Sequence, residues 1–157
     1  MLYLRSVLQV DPEMDSYYIV RNPGKTNFTH GNKYWIPELS PSKDLFMGWK
    51  STHKGKSEEE DFRDNYVPKF LNELIDSQKA KDKLNELYKD SFRKDIQLVC
   101  FCTDEKTCHR SIIGGLLKGA GANIECFQSY SKYWDIYQKI KENRKKADKE
   151  TEEDMER

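Results

Sequence analysis

Hydrophobic and polar residues alternate at the start of the chain. Leu2, Leu4, Leu8 and Val10 share one parity, and Tyr3, Arg5, Val7 and Gln9 take the other. A period of two predicts a half-buried strand, ended by Asp11-Pro12. Tyr17-Tyr-Ile-Val20 predicts a second strand, stopped by the turn signal Asn22-Pro23-Gly24, and residues 22–34 read as loop. Ser40-Pro41 offers a hydroxyl N-cap and a first-turn proline for a short helix from Ser42 to Trp49, with Leu45, Phe46 and Trp49 on one face. After a polar loop at 50–56, Ser57 and Glu60 fit a capping box. Phe62, Tyr66, Phe70 and Leu74 follow at four-residue intervals as an amphipathic stripe. Pro68 falls inside it and should kink or divide the helix.

A further helix over about 79–90 presents Leu84, Leu87 and Tyr88. Asp95-Ile-Gln-Leu-Val-Cys-Phe-Cys102 is nearly continuous in apolar residues, as a central strand covered on both faces should be. A polar loop (Thr103 to Thr107), a helix from Cys108 to Lys118, a short strand at Ile124 to Phe127 and a terminal helix from Tyr130 to Lys145 complete the order. Strand, loop, helix and strand in succession imply a parallel crossover. The fold class expected is α/β: a small, mostly parallel sheet flanked by helices, Rossmann-like and three-layered.

Composition sharpens this picture in three ways. Aromatic residues make up 12% of the 157 residues, too generous a supply of core material for a disordered chain. Residues 139–157 carry seven basic and seven acidic side chains against Ile140, Ala147 and Met155. The core is therefore expected in one domain over 1–138, with 139–157 as a charged helical extension. The 27 Lys and Arg balance 27 Asp and Glu, which argues against a protein that lives on bulk attraction to nucleic acid. No stretch approaches the roughly 20 apolar residues of a membrane span, and the N-terminus lacks a secretory pattern. A soluble, cytoplasmic protein is expected, with reduced thiols.

Reactive side chains gather densely in one segment, Cys100-Phe-Cys102-Thr-Asp-Glu-Lys-Thr-Cys108-His109-Arg110. Strand parity puts Cys100 and Cys102 on one face, and the next helix begins at Cys108. Helix N-termini favour anions and thiolates, and ligands of open α/β sheets bind beyond the carboxyl ends of the strands. Four chemistries compete. Thr107, Cys108, His109, Arg110 and Ser111 can cradle a phosphate or carboxylate, with Arg21 adding a second guanidinium from the end of a neighbouring strand. Cys102 or Cys108 can act as a nucleophile beside His109. A phosphatase-type loop does not fit, because the position needing Arg holds Cys108. Zinc on Cys100, Cys102, Cys108 and His109 is disfavoured by the single residue between the first two cysteines, where a knuckle has two. Last, Cys100 and Cys102 can be inert core with Cys108-His-Arg merely capping a helix. His30 and His53 read as solvated loop residues, and Cys126 as core.

Trp35-Ile-Pro-Glu-Leu-Ser-Pro-Ser-Lys-Asp-Leu45 resembles the W-x-x-E-L-x-P-S-x-x-L segment of the domain-of-unknown-function 488 family, in its YeaO-like group. Trp49, the Phe62 to Tyr66 pair and the C-x-C-x5-C-H-R run from Cys100 to Arg110 follow in that family's order, and Arg21 matches the arginine closing its early strand. The likeness spans roughly residues 15–127. It implies an α/β three-layer domain with a cleft around Arg21, Cys102, Cys108, His109 and Arg110, and it implies no particular reaction. The long polar loop at 50–57 and the charged C-terminal helix depart from the family pattern.

The function expected is binding of a phosphorylated, nucleotide-like small molecule at the strand-to-helix turn. The alternatives are an enzyme acting on a nucleotide-type glycosidic or phosphoester bond, with Cys102, Cys108 and His109 catalytic, and a nucleic-acid or protein interaction module. No cofactor, resident metal or membrane is expected. A nucleic-acid partner is disfavoured, and a homo-oligomer stays open.

Overall fold

The computed structural model describes residues 1–24, 26, 28, 31–51 and 55–156. His30 and His53 lie outside the described residues. Five strands form one all-parallel sheet in the order β3-β2-β4-β1-β5. They are β1 (Leu2–Ser6), β2 (Asp15–Tyr18), β3 (Lys33–Trp35), β4 (Ile96–Cys100) and β5 (Ile124–Glu125). With the helices flanking it, the sheet makes the α/β three-layer architecture that the element order predicts. β4 is central, paired with β1 in the register Leu4↔Leu98 and with β2 in the register Tyr18↔Val99, and all five of its residues are buried.

β2 sits two residues earlier than the expected 17–20 and β5 stops at Glu125 rather than Phe127, while β1 and β3 differ more. β1 stops at Ser6, where the Ser6 N–H donates to Gln9 Oε1 at 3.1 Å and the chain coils into a single 3-10 turn, leaving Leu8 exposed. A local polar pair thus overrides the alternation, which continues on paper to Val10. β3 lies in the stretch expected to be loop. It is an edge strand of three exposed residues, held because Tyr17 and Tyr34 stack at 5.1 Å and the Trp35 indole donates to the Val20 carbonyl.

The helices are α1 (Lys43–Ser51), α2 (Glu58–Asp61), α3 (Val67–Ile75), α4 (Gln78–Asp90), α5 (His109–Gly119) and α6 (Lys132–Glu156). α1 begins two residues later than Pro41 suggests: Ser40 closes a 3-10 turn over Pro37–Leu39, and Ser42 accepts the Leu45 N–H instead. Ser57 accepts the Glu60 N–H as the capping box predicts. The aromatic stripe is intact, with rings 62 and 66 stacked at 5.0 Å and 66 and 70 at 6.0 Å. Pro68 has no N–H to give, and the helix meets this with a π-helical turn over Phe62–Tyr66 before α3.

The main core lies between the sheet and α3, α5 and α6, around Phe70, Leu71, Leu98, Ile112 and Ile113. A smaller cluster of Tyr18, Val20, Val99, Cys100 and Cys108 forms beside the carboxyl ends of β2 and β4. α6 packs directly on α5, because a Cβ on Gly115 or Gly119 would collide with the Tyr130 carbonyl or the Trp134 side chain. Core contacts reach Ile140, and Arg144 hydrogen-bonds Asp76 and Asn72, so α6 stays docked beyond residue 138. Among the described residues, no helix is long and apolar enough to cross a membrane.

Candidate functional site

β4 ends at Cys100 and the chain turns through Phe101 to Asp104. Asp104 caps a 3-10 turn over Glu105–Thr107 by accepting the Lys106 N–H at 3.1 Å, and Cys108 then serves as the N-cap of α5. This compact strand-turn-helix brings three sulfurs together. Cys100 Sγ lies 3.4 Å from Cys108 Sγ and 3.7 Å from Cys102 Sγ. His109 completes the group: its Nδ1 is 3.8 Å from Cys108 Sγ and 4.0 Å from Cys100 Sγ.

The imidazole tautomer follows from its other nitrogen. Nε2 meets the Ile19 carbonyl, an acceptor only, so the ring proton sits on Nε2 and Nδ1 presents a lone pair to the sulfurs. Burial lowers the His109 pKa, keeping the ring neutral, and the Phe70 ring packs 5.7 Å away. Burial pushes the Cys108 thiol well up, and the hydrogen bond with Cys100 raises Cys102. The thiols of Cys102 and Cys108 both stabilise negative charge on Cys100, and nearby Arg110 adds to this, so Cys100 is strongly lowered. Cys100 is therefore the sulfur of the group that most readily carries negative charge.

The cleft beside this group has a volume of about 500 Å³, in the range of small-molecule sites. Phe46, Trp49, Tyr66 and Phe101 supply aromatic walls, and Arg21 stands at its edge. Of the residues expected in the site, Arg21, Cys102, Thr107, Cys108 and His109 line the cleft together with Cys100. Thr107 is tied by its hydroxyl to Glu58 at 3.3 Å. Ser111 does not line it; its hydroxyl donates to the Cys108 carbonyl in its own helix turn at 2.8 Å.

Arg110 does not line the cleft either. It is 1% exposed, gives one bond from Nη2 to the Cys102 carbonyl at 3.2 Å, and leaves Nε and Nη1 buried without a partner. Its guanidinium lies behind the sulfurs, where its charge helps to lower Cys100.

Sequence reading missed two features of the site. Trp49 and Tyr66 read as core because a helical stripe does not say whether its rings face a packed interior or a cleft. Phe101 carried a usable signal, since period-two parity turns it away from the Cys100-Cys102 face. Cys100, weighed as a zinc ligand or as inert core but not placed in the ligand site, is both buried in the smaller apolar cluster and the hub of the three sulfurs.

Fold and site together define an all-parallel α/β domain with an aromatic-walled, thiol-floored cleft where β2 and β4 end. The chain belongs to the DUF488 family: residues 14–121, more than two thirds of its length, match the family model described as the active DUF488-N3 subclade. No curated protein and no solved structure matches the chain.

Proposed function

We propose that this domain binds a phosphorylated, nucleotide-like small molecule in the cleft at the ends of β2 and β4. One observation carries the proposal: a cavity of about 500 Å³ pairs aromatic walls with a cation and a helix N-terminus. Stacking on Phe101 and Trp49 suits a planar base, which every nucleotide offers. Arg21 suits a phosphate by paired N–H donation, and α5 directs the positive end of its dipole to the same side. The position agrees with the general rule for open parallel sheets, whose ligands sit beyond the carboxyl ends of the strands.

The test is calorimetric titration of the wild-type protein with AMP, ADP, NAD, the corresponding nucleosides and inorganic phosphate. At least one nucleotide should bind, and more tightly than its nucleoside. Arg21→Ala and Phe101→Ala, both changes at exposed side chains, should each weaken it about tenfold, or ~1.4 kcal/mol. Silence across the whole panel, or equal affinity for nucleoside and nucleotide, would overturn the proposal.

A further inference from the structure

We infer that Cys100, Cys102, Cys108 and His109 Nδ1 form a four-donor site for a thiophilic divalent metal ion, with zinc as the fitting choice. A tetrahedral zinc with Zn–S about 2.3 Å and Zn–N about 2.0–2.1 Å has S···S edges of about 3.8 Å and S···N edges of about 3.6 Å. The sulfurs here stand 3.4 and 3.7 Å apart along two edges, and all three lie within 4.8 Å of one another. His109 Nδ1 stands 3.8 and 4.0 Å from two of them. These four edges, all made by Cys100 or running between its partners Cys108 and His109, lie within a few tenths of an ångström of tetrahedral values, and Cys102, exposed at the turn, closes the remaining two by swinging inward. The one-residue gap between Cys100 and Cys102 is no obstacle, because the turn after β4 brings both sulfurs to one side.

Two further observations point to an ion rather than to packing. The first is the orientation of His109: metal-ligating histidines typically give their second ring N–H to a carbonyl or carboxylate, which fixes the free nitrogen toward the metal. Ile19 supplies that carbonyl. The second is Arg110, almost wholly buried with Nε and Nη1 unpartnered. Binding is charge-balanced with it. In the loaded site the three thiolates and a divalent ion leave one net negative charge, and the Arg110 guanidinium cancels that charge. A disulfide between Cys100 and Cys108 would instead remove the anionic sulfur and leave Arg110 buried with no counter-charge.

The inference is independent of the nucleotide proposal, since metal content is read on protein free of nucleotide. Full-length protein, reduced and stripped of metal, is titrated with Co²⁺ and then Zn²⁺. One Co²⁺ per chain should give the strong visible absorption of a tetrahedral thiolate complex, bleached by one equivalent of Zn²⁺. Cys100→Ser and Cys108→Ser should abolish the signal, His109→Ala should weaken Zn²⁺ binding at least tenfold, and Cys126→Ser should leave it unchanged. Wild-type protein that develops no thiolate absorption with Co²⁺ would overturn the inference even if a serine variant fails to fold. So would a signal that survives Cys100→Ser, or a protein whose thiol count shows a disulfide that forms in preference to metal binding. Nucleotide titration of the stripped protein keeps a failure of either proposal separate from the other.

Discussion

Gln97 and Arg110 are both polar and both sealed from solvent, one near the start of β4 and the other just beyond its far end. Gln97 is fully used. Its Nε2 donates to the Asp11 carbonyl and to Ser16 Oγ, each at 2.8 Å, and its Oε1 accepts the Asp11 N–H at 3.2 Å. It staples the loop after β1 to the sheet. Arg110 spends one of its five N–H groups on the Cys102 carbonyl and keeps two nitrogens idle in the interior. Buried polar groups are nearly always satisfied, so an idle one asks for an explanation. The difference teaches where the molecule holds itself together and where it keeps something in reserve. The start of β4 is closed by satisfied hydrogen bonds, and beyond its end a buried guanidinium keeps unsatisfied ones.

Breaking the staple should give the largest effect. Gln97→Leu removes three hydrogen bonds, two to the Asp11 backbone and one to Ser16 Oγ, each worth about 1 kcal/mol. Urea unfolding should show a loss of about 3 kcal/mol, with metal stoichiometry unchanged at temperatures where the variant is folded. A loss under about 1 kcal/mol would remove the contrast between the two ends.

Arg110→Met removes a cation of similar reach. The change removes the desolvation cost of a buried cation together with its attraction to Cys100, and the two offset. The metal-free variant should therefore unfold within about 1 kcal/mol of the metal-free wild type, the one lost bond to Cys102 being worth roughly that much. Zn²⁺ affinity should nevertheless fall at least tenfold. A variant as unstable as Gln97→Leu, with normal metal binding, would make Arg110 a structural residue like its counterpart.

The smallest effect belongs to a polar contact outside the interior, which sets the scale for the other two. The Arg144 guanidinium on Asp76 holds that carboxyl below its ordinary value of 3.8. A depressed carboxyl pKa contributes stability that is fully present above 3.8 and lost as pH falls through the folded value. Asp76→Asn should scarcely alter unfolding at neutral pH, and it should flatten the acid side of the stability profile below pH 3.8. A neutral-pH loss as large as that of Gln97→Leu would show that burial is not what separates the two ends of β4.

Local signals proved readable where the deciding interaction is local. Ser57 caps α2, the Phe62 to Phe70 rings stack along their stripe, and the apolar run at 96–100 is the central strand. The site was half readable. The density of thiol, imidazole and guanidinium between Cys100 and Arg110 marked the right turn, but the side to which each group points was not in the pattern. Arg110 and Ser111 read as anion ligands and turn inward, and Cys100, left open between zinc ligand and inert core, is the buried hub of the sulfurs. The edge strand β3 stayed hidden because its three residues are exposed and its partner strand is β2, Ser16 to Tyr18 pairing with Lys33 to Trp35.

The residue order by itself determined the period of each element, the caps that start the helices and the place in the chain where reactive groups crowd. Those depend on neighbours within about one helical turn or along one strand. Only the tertiary structure decided that Arg21, Trp49 and Tyr66 meet the thiols across one cleft, that His109 turns its lone pair to them through the Ile19 carbonyl, and that Arg110 is walled in behind. Each of those facts joins residues distant in the chain or settles which way a side chain faces. Close packing fixes both only once the sheet and its helices have assembled.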